Sequence, residues 1–190
     1  STATFSSAQF GAGLISSSVA VTGTAFATAI VVNVQSGTTF DMSSWTFSAW
    51  TASDTITVTG STGNETIIGS SQNDIFVVSN TNQVAAGDRY DGRSGTDTLQ
   101  VDVAGAGTSI VLSGAASDGV DGFINIEALT FASTSGASTA TFSSAQFGAG
   151  KISNSLAVTG SGADNSIAID MVSGGTLDLS AWSFATWAAA

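Results

Sequence analysis

The chain has 190 residues and a formal net charge of −11, with only Arg89, Arg93 and Lys151 basic, and it contains no Pro, Cys or His. Three cations cannot assemble a basic patch, so nucleic acid is excluded as a partner, and the lack of Cys excludes a disulfide scaffold and thiolate metal sites. No apolar run reaches membrane-spanning length, and no basic segment followed by an apolar one opens the chain as a secretion signal would. Gly, Ser, Thr, Ala and β-branched residues dominate while helix formers are scarce. That balance predicts an all-β fold of short strands joined by Gly-containing turns. So acidic a chain favours hard cations, Ca²⁺ first, because carboxylate and carbonyl oxygens suit them.

Period-2 apolar alternation marks strands at Val19–Val21, Ile30–Val34, Ile56–Val58, Ile67–Ile68, Ile75–Val77, Leu99–Val103, Ile110–Leu112 and Ile124–Ile126. Each run is followed within a few residues by Gly, Asn, Asp or Ser. A β-sandwich or a solenoid of stacked coils would produce this pattern. A long repeat overlies it. STATFSSAQFGAG at Ser1 returns at Ser138, 20 of 23 positions match between 1–23 and 138–160, and FDMSSWTFSAW from Phe40 aligns with LDLSAWSFATW from Leu177. Residues 1–137 thus form one complete repeat and 138–190 the first part of a second, as in a segment of a longer tandem array.

The segment of about residues 60–100 separates the two architectures. GSTGNETII from Gly60 runs straight into GSSQNDIFV from Gly69, and GRSGTDTLQ follows from Gly92. Each nine-residue unit begins with Gly, carries an acid at position 6 (Glu65, Asp74, Asp97) and a large apolar residue at position 8 (Ile67, Phe76, Leu99). These units resemble the hemolysin-type calcium-binding nonapeptide of RTX proteins, G-G-x-G-x-D-x-U-x. The resemblance implies a parallel β-solenoid of the β-roll kind. In it each nonapeptide is half a coil, a Gly turn offers carbonyls to a cation, the acid completes an oxygen cage, and the apolar residue fills the core. It places Ca²⁺ against Gly60, Gly63, Glu65, Asp74, Gly92, Gly95 and Asp97, with Asp88 and Asp91 adding to an acidic cluster around the Gly92 turn. The departures from the motif are Ser61, Ser70 and Arg93 at position 2, Glu65 for Asp, and Gln72 for the second Gly. They reduce the expected number of calcium ions to between one and three.

FSSAQFGAG, LAVTG, the W-x-F-x-x-W stretch and INIEALTF are similar to segments of long bacterial surface and RTX-like adhesins. That likeness implies an extracellular array exported by a type I-like system and self-associating through repeat stacking, with no membrane insertion. Its roles would be those of a surface layer, filament or adhesin stalk. Without His or Cys the usual nucleophile–base pairs and zinc sites cannot be built, so no enzyme is expected. The alternatives are a glycan- or ice-binding module, using the Trp45, Phe47 and Trp50 strand or the threonine-rich runs, and a carboxylate-dependent polysaccharide enzyme on a β-helix. Asp118 and Asp121 read as turn residues, and Glu127 as a hydrogen-bonded acid in an apolar strand.

Overall fold

Short runs of β-branched residues cannot make long strands. They can bury one face if the chain wraps and each run lies on the equivalent run of the preceding coil. The computed structural model describes residues 1–103, 108–115, 122–133 and 136–187, and in it the chain is a parallel β-solenoid. Coil by coil, the strands are β1 (Thr2–Ser6) and β2 (Ala20–Thr22); β3 (Ala29–Asn33), β4 (Thr39–Asp41) and β5 (Thr46–Ser48); β6 (Thr55–Thr59) and β7 (Thr66–Ile68); β8 (Asp74–Val78) and β9 (Arg89–Asp91); β10 (Thr98–Val101), β11 (Thr108–Val111) and β12 (Gly122–Ile124); β13 (Ile126–Phe131) and β14 (Ser138–Ser143); β15 (Ile152–Thr159) and β16 (Ser166–Asp170); and β17 (Ser183–Ala185). All the pairings among these strands are parallel.

An eight-stranded sheet, β1-β3-β6-β8-β10-β13-β15-β17, runs the length of the stack. Shorter sheets, β12-β9-β7-β4, β11-β14-β16 and β2-β5, close the other sides. Coils containing β3, β4 and β5, or β10, β11 and β12, therefore have three faces, each in a different sheet. Coil length varies: one coil runs only from Ile56 to its partner Asp74, whereas another runs from Thr98 all the way to Ala128. The shorter of these is two nonapeptides, one closing on β7 and the other on β8, so each is half a coil as the spacing predicts.

Parallel register aligns side chains into inward ladders. One runs Phe5, Val32, Val58, Phe76, Leu99, Leu129, Val158, Phe184 along the long sheet. A second, Phe40, Ile67, Tyr90, Phe123, faces it. The inner members of both are buried, and Phe76 meets Tyr90 edge-on with ring centroids 6.0 Å apart. The Tyr90 hydroxyl donates to the Gln83 carbonyl at 2.7 Å, which satisfies the polar atom among these apolar rungs. One expected strand is broken. Asn125 adopts φ 52°, so Ile124 ends β12 and Ile126 begins β13 on another face. Asn tolerates the left-handed region better than most residues and here turns a corner. Asp118 and Asp121 lie outside the described residues.

The two copies of the repeat fold alike. Phe5–Phe10 and Phe142–Phe147 centroids are 5.6 and 5.5 Å apart, and Phe47–Trp50 and Phe184–Trp187 are 5.1 and 5.4 Å apart. Ala49 and Thr186 share φ 51°. The 3₁₀ turns Ser7–Gln9 and Ser144–Gln146 carry the same capping box, built by Ser6 and Gln9 in one and by Ser143 and Gln146 in the other. A third turn of this type, Thr81–Gln83, follows β8.

Truncating a central rung tests the ladder. Phe76→Ala is expected to lower the unfolding free energy by about 3–5 kcal/mol in denaturant titrations. Phe26→Ala, at an 81% exposed turn position, should change it by less than about 0.5 kcal/mol.

Candidate cation corners

At the corners, certain backbone amides point along the stacking axis and outside the strand ladders. A buried amide left unpaired costs about 1–3 kcal/mol. Acids of the next coil take these amides. Thr28 N–H donates to Asp54 Oδ1 at 2.7 Å, Glu65 N–H to Asp88 Oδ1 at 2.7 Å, Asp74 N–H to Asp97 Oδ1 at 2.8 Å, and Asp97 N–H to Glu127 Oε2 at 2.9 Å. Glu127 is thus a hydrogen-bonded acid, as its sequence context suggests. Asp54 belongs to the same series, although no motif marks it.

The residues expected to hold calcium divide between two corners. The first, between β6 and β7, contains Gly60, Gly63 and Glu65, with Asp88 one coil on. Glu65 Oε1 accepts from Ser61 Oγ at 2.6 Å and Gly37 N–H at 3.1 Å, and Oε2 accepts from Ser61 N–H at 3.3 Å. Asp88 Oδ2 takes the Ala85 amide at 2.6 Å. All four carboxylate oxygens here already have protein donors. Burial, with a further push from Glu65, raises the Asp88 carboxyl above the usual carboxylate range. Gly60 and Gly63 keep this corner tight: a Cβ on Gly60 would run into the Tyr90 hydroxyl, and one on Gly63 into Ser36 Oγ.

The second corner stacks the turn before β8 on the turn before β10 and contains Asp74, Gly92, Gly95 and Asp97. Asp74 is served by Ser70, whose amide donates to Oδ2 at 2.7 Å and whose hydroxyl lies 3.2–3.3 Å from both oxygens. Asp97 has no such partner. Its Oδ2 is buried and accepts no hydrogen bond. The cause lies at position 2 of each nonapeptide. Ser61 and Ser70 turn amide and hydroxyl towards their own acid, whereas Arg93, at φ 66°, turns its amide to Asp91 Oδ1 at 3.0 Å. A Cβ on Gly92 would collide with Asp97 Oδ2 and the Asn125 carbonyl, and one on Gly95 would sit 2.6 Å from the Gln72 carbonyl oxygen.

The Asp91 carboxylate is already taken up. Its Oδ2 pairs with Arg89 Nη2 at 2.6 Å, and its Oδ1 accepts from Asn125 Nδ2 at 3.0 Å. Asp88, Asp91 and Asp97 are therefore not gathered around one turn, because the intervening strand β9 separates the first two along its length. Among the described residues no three acids are placed to hold one ion together. What does converge is a set of single carboxylates and carbonyls. A Cβ on Gly69 would lie 2.7 Å from Asp74 Oδ2, 2.8 Å from the Gly92 carbonyl oxygen and 3.0 Å from the Asp91 carbonyl oxygen. One coil on, Asp97 Oδ2 and the Asn125 carbonyl lie beside Gly92, so the corner is lined by oxygens alone, the donor chemistry of a hard cation.

Burial pushes the Asp74 carboxyl up to about 7. Burial, then the charges of Asp74, Glu127 and Asp91, push Asp97 up to about 8. Asp54 is the opposite case, held below the usual range by the Thr51 and Thr28 amides. The other candidate features lie elsewhere. Trp45 is buried against Phe10 and Phe40, at centroid distances of 5.7 and 6.1 Å, and so is not a sugar platform. The outward column of the long sheet reads Thr4, Val31, Thr57, Ile75, Thr98, Ala128, Ala157, Ser183, so the threonines form no continuous array.

In comparisons with known proteins, no family model matches the chain, and neither does any curated protein or solved structure.

The raised carboxyls make stability depend on pH. A group whose pKa is higher folded than unfolded stabilises fully below its unfolded value and loses that contribution as pH rises through the folded one. In chelator, stability is therefore expected to fall between pH near 3.8 and about 8. Asp97→Asn should flatten the upper part of that fall, measured as denaturation midpoint against pH.

Proposed function

We propose that the chain is a non-enzymatic structural unit of an extracellular, calcium-stabilised array of the kind its RTX-like nonapeptides suggest, a surface layer, filament or adhesin stalk built by stacking repeats. The observation that carries this reading is the contrast between the two copies. Val34 and Met42, covered by the following coil, are 4% and 0% exposed, whereas their counterparts Met171 and Leu179 are 55% and 44% exposed. At the other end, Phe142, Phe147 and Leu156 are buried while Phe5, Phe10 and Val19 are only partly so. One sequence is core or surface according to whether another coil lies on it. Such a unit completes its core only in company, and adding repeats lengthens a rod without adding new chemistry.

Calcium enters through the second corner. Asp97, Asp74 and the carbonyls of Asp91, Gly92 and Asn125 would hold it, and the ion would neutralise carboxylates that otherwise repel one another. Weak affinity, roughly 10⁻⁴–10⁻³ M, suits an extracellular module whose turns stay disordered at low Ca²⁺ during export and order outside.

Two measurements test this. Millimolar Ca²⁺ is expected to raise the melting temperature of the wild-type chain and of Glu65→Gln, and to have little effect on Asp97→Asn. An unchanged melting curve for the wild type after chelation counts against calcium. A tandem chain, with residues 1–137 placed directly ahead of residues 1–190, should melt several degrees higher than the single chain and appear by electron microscopy as a longer rod. Two independent transitions would overturn stacking.

A further inference from the structure

The step from Ser1 to its copy Ser138 does not return the chain to the same face. Five coil steps separate β1 from β13 in the long sheet, yet the copies of β1 and β3, which are β14 and β16, lie in the three-stranded sheet. It is the copies of β2 and β5, within β15 and β17, that continue the long sheet. We infer that each repeat is set one face round the axis from the repeat before it, with the Ser1–Phe10 edge seated on Thr108–Ser113 of the preceding copy. The inference rests on the stacking reading above and adds the register.

Three observations define that seat. First, the same edge is already occupied once within the chain. β14 pairs with β11 in the register Thr108↔Ser138, Ser109↔Thr139, Ile110↔Ala140 and Val111↔Thr141. The amides of Leu112 and Ser113 both donate to the Thr141 carbonyl, at 2.7 and 3.0 Å.

Second, the glutamine of each 3₁₀ turn is a bracket with two ends. Its Oε1 accepts the amide at the start of the turn, at 2.8 Å for both Gln9 and Gln146. Its Nε2 reaches back to the preceding coil, from Gln146 to the Leu112 carbonyl at 2.8 Å and from Gln83 to the Gly60 carbonyl at 2.8 Å. Gln146 and Gln83 are buried, while Gln9 is exposed with no coil before it.

Third, the edge opens on an apolar cleft of about 290 Å³ that includes Phe5, Phe10, Val19 and Val21. Their copies Phe142, Phe147, Leu156 and Val158 are buried, alongside Leu112 and Ala115. The occupant is therefore a second copy of this repeat, pairing Thr108 with Ser1, Ser109 with Thr2, Ile110 with Ala3 and Val111 with Thr4, with Gln9 Nε2 on the Leu112 carbonyl. Successive repeats are thus related by steps of five coils and one face. Each advances the rod by about 25 Å at the usual strand spacing.

Disulfide trapping in the tandem chain tests the register, since neighbouring strands place paired Cα atoms within bonding range. Val111→Cys in the first copy with Thr4→Cys in the second is expected to cross-link within about twofold of the benchmark pair Val111→Cys and Thr141→Cys in the single chain. Ala128→Cys on β13 of the first copy, the residue in the same column of the long sheet as Thr4, should cross-link to Thr4→Cys at least tenfold less. Preferential Ala128–Thr4 cross-linking would mean a whole number of coils per repeat and would overturn the offset. If neither pair cross-links but the tandem chain still melts higher, the register is wrong and stacking survives. If neither happens, both readings fail.

Discussion

At four corners of the described solenoid a backbone amide looks along the axis, and the next coil supplies a carboxylate to accept it. That demand explains why Asp54, Asp88, Asp97 and Glu127 sit where they do. Thr28, Glu65, Asp74 and Asp97 each give their amide to a carboxylate from the next coil, so one coil closes only when its successor is present. The carboxylates carry the cost of burial in turn. At Glu65 and Asp74 the serine at position 2 of the same turn offsets it, and at Asp97 no serine is available. The site most suited to a cation is thus the one where the protein's own donors run out.

The apolar ladders obey the same logic with a different force. A rung such as Val58 or Leu99 is dry because rungs above and below cover it, and its burial is worth roughly 1.5–3 kcal/mol only in that setting. Met42 and Leu179 occupy equivalent places, yet a further coil lies over the first and none over the second. The glutamine brackets join the two systems, tying a polar corner of one coil to a carbonyl of the last.

Much of this is legible in the residues. The adjacent units at Gly60 and Gly69 give a coil two nonapeptides long, and position 8 of each nonapeptide lands in a ladder. Other features are hidden for physical reasons. Ile124-Asn-Ile126 reads as alternation, but Asn125 turns left-handed and puts its neighbours on different faces. Asp88, Asp91 and Asp97 are close in sequence, yet the short strand β9 divides Asp88 from the other two, because a solenoid separates along the chain what it brings together between coils. Ser61 and Ser70 look like departures from a glycine-rich motif and prove to be donors. The one-face offset of the repeat cannot be read at all, since coils differ in length and nothing local states how many of them make up one repeat.

Because the sheet hydrogen bonds lie along the axis, a pull on the two ends of the chain loads the outermost coil alone. It peels away before its neighbour feels the force. A surrendered coil extends to roughly 60–100 Å, against the few ångströms of rod it occupied. A stack of this kind yields in small instalments under tension, dissipating a tug while the remaining coils keep their shape.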